Sequence, residues 1–233
     1  MNLVFPMAVP SVPIKNSQQA FPVHRIYCVG RNYVEHAKEM GWTGREAPFF
    51  FMKPADAVLP VADGEVGRMP FPSATSNLHH EIELVVAIGN TCAAGTTITL
   101  DDALSYVWGY ALGLDMTRRD LQAESKAQGR PWCTAKGFDY SAPISPITPV
   151  AQVQHIETAA IILEVNGVRR QEGRIDQLIW NIAEIIVSLS GLYTLQAGDL
   201  IFTGTPAGVA AVQKGDLMCG HIDGLGSLQV SLV

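Results

Sequence analysis

The sequence predicts an α+β domain rich in β-strand. Short apolar and β-branched runs bounded by Gly and Pro recur along the chain, as at residues 49–52, 82–88 and 200–203. Sustained helical periodicity is confined to a few segments, of which 179–189 is the clearest. The two kinds of segment do not alternate in the regular order that a doubly wound parallel sheet requires.

In chain order, residues 1–23 read as an extended arm punctuated by Pro6, Pro10, Pro13 and Pro22, ahead of a single domain over 24–233. The arm is expected to pack on its own domain or on a neighbouring subunit. Residues 25–30 read as a strand ending in a glycine turn, and 33–40 as a short helix closed by Gly41. A strand at 49–52 stops before Pro54, and 54–72 reads as loops with brief strands. Next comes a buried strand over 79–88, then a helix signal near Leu100-Asp101-Asp102. The apolar segment 107–114 ends at Asp115, and 117–128 reads as a polar helix with Thr117 as its cap and Asp120 three residues on. Asn166-Gly167, between the runs 159–165 and 168–172, signals a tight hairpin. Ile179, Ile182, Ala183, Ile186 and Leu189 recur at helical spacing up to Gly191. Strands at 200–203, 217–221 and 228–232 complete the pattern, and no internal repeat is visible.

With 233 residues, 48% of them hydrophobic and 16% charged, the chain can bury a sizeable core, which argues against disorder. A net charge of −6, with no basic cluster beyond Arg118-Arg119 or Arg169-Arg170, leaves no footprint for nucleic acid. An anionic substrate therefore needs a local cation. Cys28, Cys92, Cys133 and Cys219 are widely spaced and read as core thiols of a reducing compartment. No basic leader segment and no run of membrane-spanning length is present, so the expectation is a cytoplasmic protein without a membrane partner.

The chemistry centres on Glu81-Ile82-Glu83. On a strand, alternate side chains share a face, so the two carboxylates point the same way from an apolar element. Buried together they repel and lose hydration unless a cation sits between them. Oxygen ligands of this kind suit Mg²⁺ or Mn²⁺, with Ca²⁺ also able to enter in vitro, better than zinc. Asp115, where an apolar strand meets a polar helix, completes a three-carboxylate set if the strands are neighbours; it could equally cap that helix.

His36 and Glu39 lie three apart on the short helix, where a carboxylate can orient an imidazole as a general base. Arg119 and Gln122 share a face in the same way and suit a carboxylate and a carbonyl, unless they merely face solvent. Lys136 is the sole cation in an apolar, small-residue stretch, either snorkelling or placed for an anion. Thr203-Gly204-Thr205-Pro206-Ala207-Gly208 opens a turn whose amides and hydroxyls can hold a carboxylate. Trp42, Phe49, Phe51 and the arm could line a pocket or belong to the core.

Several ordered motifs together resemble the fumarylacetoacetate hydrolase family. They are Ile26-Tyr27-Cys28-Val29-Gly30-Arg31-Asn32-Tyr33 with His36 and Glu39, Phe50-Phe51-Met52-Lys53-Pro54, Glu81-x-Glu83, Asp115 to Gln122, Ala135-Lys136-Gly137-Phe138-Asp139, Gly198 to Pro206 and Gly224-Leu225-Gly226. The resemblance runs from about Val23 to the C-terminus. It implies a mixed β-sandwich roll with short flanking helices, usually a homodimer. It implies Glu81, Glu83 and Asp115 as Mg²⁺ or Mn²⁺ ligands, and His36 with Glu39 as the water-activating dyad on a lid. It further implies Lys136 as a catalytic cation, with Arg31, Arg119, Gln122 and Thr205 as substrate contacts.

The family acts on 2,4-diketo acids and related 2-oxo acids. Within it, the arm leading into Phe21-Pro22-Val23-His24-Arg25-Ile26-Tyr27 is similar to the bacterial members of gentisate breakdown that hydrolyse fumarylpyruvate. The expectation is metal-dependent hydrolysis of an acylpyruvate, 3-fumarylpyruvate foremost, to fumarate and pyruvate. The alternatives are decarboxylation of oxaloacetate or a related 2-oxo diacid at the same metal, and simple binding of a 2-oxo acid without turnover.

Overall fold

In the Ile82–Ile88 strand every residue is buried, and the two faces supply two different cores. Ile82, Leu84, Val86 and Ile88 enter the larger core, and Val85 and Ala87 the smaller. A strand covered on both faces reads as a continuous apolar run, which is what this sequence shows. The computed structural model describes residues 4–35 and 45–233. Within them the Ile82–Ile88 strand lies near the centre of a curled mixed sheet ordered Phe49–Lys53, Ile26–Gly30, Leu200–Phe202, Ile82–Ile88, Val107–Leu114, Ala142–Ile144 and Val58–Pro60. Two of its pairs are parallel, Leu200–Phe202 with Ile26–Gly30 and Ala142–Ile144 with Val58–Pro60.

A second sheet runs Val168–Arg174, Ala160–Val165, Leu217–Ile222, Gly226–Leu232 and Val66–Met69. Its inward residues Ile161, Leu163, Met218, Leu228 and Val230 share the larger core with Leu84, Leu112 and Leu114. Two sheets facing each other across a shared apolar layer form a sandwich. The hairpin turns at Asn166 and Gly167, with φ of 52° and 76°, the pair of positive angles that a two-residue type I′ turn requires.

The smaller core lies on the other side of the central sheet and takes in part of the arm. Ser11–Pro13 and Ala20–Pro22 pair as a small ribbon, and Val12, Phe21 and Val23 are buried against Ile26, Cys28 and Leu200. This stretch therefore packs on its own chain.

Several local expectations are corrected. The signal near residue 100 resolves into a 3₁₀ turn at Ala103–Tyr106 rather than an α-helix. The polar helix is Arg119–Ala127 and has no side-chain cap. Thr117 instead pairs with His79 in a ribbon, and its hydroxyl donates to the Asp115 carbonyl at 3.0 Å. The Ile182–Ser190 helix starts on a reciprocal capping box between Asn181 and Glu184, which fixes its beginning. Of the four thiols only Cys28 and Cys92 are buried; Cys133 is exposed and Cys219 half-buried, and all four are free. Among the described residues, no helix is long and apolar enough to cross a membrane.

Candidate active site

The antiparallel register places the three acids. Ile82 pairs with Leu114 and Glu83 with Gly113, so Glu81 falls opposite Asp115, whose amide donates to the Glu81 carbonyl at 2.8 Å. Both strands present these residues on the face of Val85 and Ala111, at one end of the smaller core. Ligand atoms of Glu81, Glu83 and Asp115 all lie within 4.8 Å of one another, and all three residues are buried.

Such a cluster survives only with cations against it. Lys136, at the end of the short Cys133–Lys136 helix, donates to Glu81 Oε2 and Asp115 Oδ2, each at 2.7 Å. Burial alone would push its ammonium down, but Asp115 and Glu81 outweigh it and hold the pKa above its usual value. Arg119 pairs with Glu81 and donates to Gln122 Oε1 at 2.6 Å, so these two residues serve the cluster rather than a solvated helix face. Lys53 lies 2.8 Å from Asp115 Oδ1 and also donates to the carbonyls of Met116 and Lys136. That ammonium spends its aligned hydrogen bonds on the carbonyls, which leaves the buried Asp115 Oδ1 with an ionic contact and no aligned hydrogen bond.

Glu83 is the least compensated of the three. It accepts from the Gly204 amide at 2.7 Å. Burial, then Asp115 and Glu81, push its carboxyl well above the ordinary range, against the opposing effects of Lys136 and that amide. An all-oxygen set with an unaligned buried oxygen and an under-compensated carboxylate fits a hard divalent cation. Asp115 does not cap the helix; its carboxylate belongs to this cluster.

The turn after Leu200–Phe202 forms a second wall. Gly204, at φ 102°, packs against Asn32, where a Cβ would stand 2.7 Å from the Asn32 Cβ. The Asn32 amide donates to the Thr203 and Trp180 carbonyls at 2.8 and 2.9 Å, pinning the turn. Buried Thr205 accepts from Gln171 Nε2 at 2.8 Å, and the same nitrogen donates to the Pro206 carbonyl at 2.8 Å. Gln171 Oε1 accepts from the Ile82 amide at 3.1 Å, which fixes the amide orientation because a backbone N–H can only donate. His80 Nδ1 must then be the donor to that oxygen at 2.8 Å, and its buried Nε2 has no partner among the described residues. His79 Nδ1 lies 3.4 Å from Arg119 Nε as its acceptor, while Nε2 donates to Asn77 Oδ1 at 2.9 Å. Burial and then Arg119 push the His79 pKa down to about 4, so the ring is neutral.

Glu81, Glu83, Asp115, Arg119, Gln122, Lys136 and Thr205 line a cleft of about 380 Å³ together with Arg31, Phe49, Phe51, Lys126 and Trp132. Phe49 and Phe51 are thus pocket residues. The arm contributes none of the cleft lining among the described residues. His36, Glu39 and Trp42 lie outside the described residues. Sequence reasoning assigned no role to Lys53, Gln171, Asn32, His79 or Lys126. The available signal was faint: one lysine closing an aromatic strand, and one inward glutamine on an otherwise charged hairpin arm.

Residues 25–233 match the family model described as fumarylacetoacetate (FAA) hydrolase C-terminal. The chain belongs to the fumarylacetoacetate hydrolase family. Its fold is that of the family's C-terminal domain, and it is a hydrolase acting on carbon–carbon bonds. The chain is similar to the fumarylpyruvate hydrolase of Pseudomonas aeruginosa, solved in complex with Mn²⁺ and pyruvate. That likeness has 55% identity and a TM-score of 0.96, covering 100% of this chain and 99% of the other. It is 44% identical to a fumarylpyruvate hydrolase of Ralstonia sp over 188 residues, 80% of this chain and 93% of that one. It is also 43% identical to the mitochondrial oxaloacetate tautomerase of Rattus norvegicus over 204 residues, 88% of this chain and 89% of the relative.

Proposed function

We propose that this family member hydrolyses an acylpyruvate, 3-fumarylpyruvate foremost, with Mg²⁺ or Mn²⁺ held by Glu81, Glu83 and Asp115. The observation that carries the reading is one cleft lined by three clustered carboxylates, Lys136 and Arg119 against them, and Thr205 on the facing turn. The likeness to a fumarylpyruvate hydrolase solved with Mn²⁺ and pyruvate supports it. When bound, the ion supplies Lewis acidity at the 2-oxo acid end of the substrate.

The chain's own residues do the rest. Arg119 and Thr205 orient substrate carboxylate by charge-assisted hydrogen bonds. His36, held in one tautomer by Glu39, takes a proton from the water that attacks the distal ketone. Lys136, with Gln122, stabilises the oxyanion that develops there. The bond between the pyruvyl methylene carbon and the acyl carbon then breaks. The acyl part leaves as a carboxylate, and the pyruvate enolate takes a proton to become pyruvate. We include in this reading a homodimer, as the family resemblance implies, which size-exclusion chromatography with light scattering tests.

The deciding experiment follows loss of the enol absorbance of fumarylpyruvate in the ultraviolet, with Mg²⁺, with Mn²⁺ and after exhaustive chelation. Hydrolysis that depends on the ion is expected, with fumarate and pyruvate as products. Turnover undiminished by chelation removes the metal from the reading. The likeness to the oxaloacetate tautomerase, and 40% identity to a mitochondrial oxaloacetate decarboxylase of Dictyostelium discoideum over 201 residues, 86% of this chain and 89% of that one, favour a second reading, enolisation or decarboxylation of oxaloacetate. Decarboxylation needs no water nucleophile, so His36→Ala would spare it and abolish hydrolysis.

A further inference from the structure

One part of the cleft lining is aromatic, and cations sit along it in an ordered way. Phe51 and Phe49 each lie 5.6 Å, centroid to centroid, from Trp132, so the three rings form one continuous strip. Lys136 stands 5.0 Å from the Phe51 ring, at the end where the carboxylate cluster lies. Lys126 stands 5.2 Å from the Trp132 ring, and the Arg31 guanidinium 5.5 Å from Phe49. The strip thus runs from the reaction centre to a second pair of positive charges.

That second pair differs from the first. Lys53, Lys136 and Arg119 are each paired with Glu81 or Asp115. Among the described residues, neither Arg31 nor Lys126 forms an ion pair with a carboxylate, and Arg31 Nε is buried without a hydrogen-bond partner. Arg31 also holds a left-handed backbone, φ 55°, which costs energy in a non-glycine residue. Two cations held over ring faces inside a cleft, with no carboxylate partner among the described residues, form a site for an anion.

We infer that Lys126, together with Arg31, binds a carboxylate at the far end of the acyl group, while the Phe49, Trp132 and Phe51 strip receives a flat conjugated acyl chain between the two charged ends. The inference rests on the acylpyruvate reading above and narrows its substrate class to planar, unsaturated acyl groups that end in a carboxylate. Lys126 is the specificity-determining residue of this subsite.

The test compares fumarylpyruvate with acetylpyruvate, which has the same reacting end and no distal carboxylate. The wild-type enzyme should prefer fumarylpyruvate in kcat/KM, and Lys126→Met, which removes the charge and keeps a long unbranched side chain, should cut that ratio by about ten- to a hundredfold. An unchanged ratio overturns the subsite. A second measurement needs no variant: fumarate should inhibit at least about tenfold more strongly than crotonate, which replaces one carboxylate by a methyl group. Equal inhibition by the two acids also overturns it. Failure of the parent reading looks different, since neither acylpyruvate would then be hydrolysed by the wild-type enzyme.

Discussion

Gln171→Glu isolates the hydrogen-bond logic behind Thr205. In the native chain Gln171 Nε2 donates to Thr205 Oγ1 and to the Pro206 carbonyl, each at 2.8 Å. Because Thr205 accepts from that amide, its own proton is left to donate into the cleft. A glutamate would keep the oxygen that accepts from the Ile82 amide and from His80. Its second oxygen would face the Pro206 carbonyl as acceptor against acceptor and would draw the Thr205 proton inward. Leaving the Pro206 carbonyl unpaired costs about 1–3 kcal/mol, or roughly 3–10 °C in Tm for a chain of this size. Losing the outward donor to an ionised substrate carboxylate costs about 1.5–3 kcal/mol, near ten- to a hundredfold in affinity. Since that carboxylate is ionised in the ground state and the transition state alike, the loss should fall on KM with kcat little changed. The assay is a double-mutant cycle with Thr205→Val, read in kcat/KM for fumarylpyruvate. The two changes should be strongly non-additive, Gln171→Glu adding little once the hydroxyl is gone. Additive effects, or a loss confined to kcat, would refute the reasoning.

Divalent metal should stabilise the protein: at a hundredfold excess of Mn²⁺ over its Kd, by about 2.7 kcal/mol and so by roughly 5–10 °C in a thermal-shift assay. Glu83→Gln should abolish most of that shift. Burial, then Arg119 and Arg31, push the Lys126 ammonium down to about 8, with Glu81 opposing and Lys136 adding to the depression. The charge is therefore complete well below pH 8 and lost above it. The preference for fumarylpyruvate over acetylpyruvate should decline through that range in wild type, and pH profiles of Lys126→Met should lack this limb. Gly113→Ala would place a Cβ 2.6 Å from Phe202 and 2.7 Å from Val85, an overpacking worth about 1–3 kcal/mol; chemical denaturation should show a lowered midpoint. Lys53→Met removes a buried cation from Asp115, and breaking such a pair costs about 3–5 kcal/mol, measurable in the same way on metal-free protein.

How much of the site and fold was legible in the sequence depended on the range over which each signal acts. Alternation along one strand is local, so residue order alone puts Glu81 and Glu83 on a common face. The hairpin at Asn166-Gly167 was equally local, because the turn chemistry sits in two residues. Thr117 was misread for the complementary reason. A threonine before a polar helix is a good cap in isolation, but pairing with His79 claims its backbone and leaves its hydroxyl directed at the Asp115 carbonyl. Aromatic residues such as Phe49 and Phe51 look alike in a core and in a cleft wall, and only the cations placed over them tell the two apart.

The cations show why the site was harder to read than its ligands. Glu81 and Asp115 meet because two antiparallel strands have a fixed register, whereas their counter-charges come from a different strand, a one-turn helix and a longer helix. Lys53 closes an aromatic strand and is 1% exposed, a position no composition rule favours for lysine. It is tolerated because Asp115 and two carbonyls receive it. The acids and lysines are thus each other's condition for burial: removing either set leaves an uncompensated charge in a low-dielectric core. The exception is Glu83, which among the described residues has an amide, two like charges and only a longer-range effect of Lys136 rather than a paired cation. Glu83 is therefore the carboxylate whose neutralisation depends most on a divalent ion, and its replacement by glutamine should weaken Mn²⁺ binding while sparing the fold. A Glu83→Gln protein that bound Mn²⁺ as tightly as wild type in calorimetry would show that the cluster is a structural ion-pair network instead.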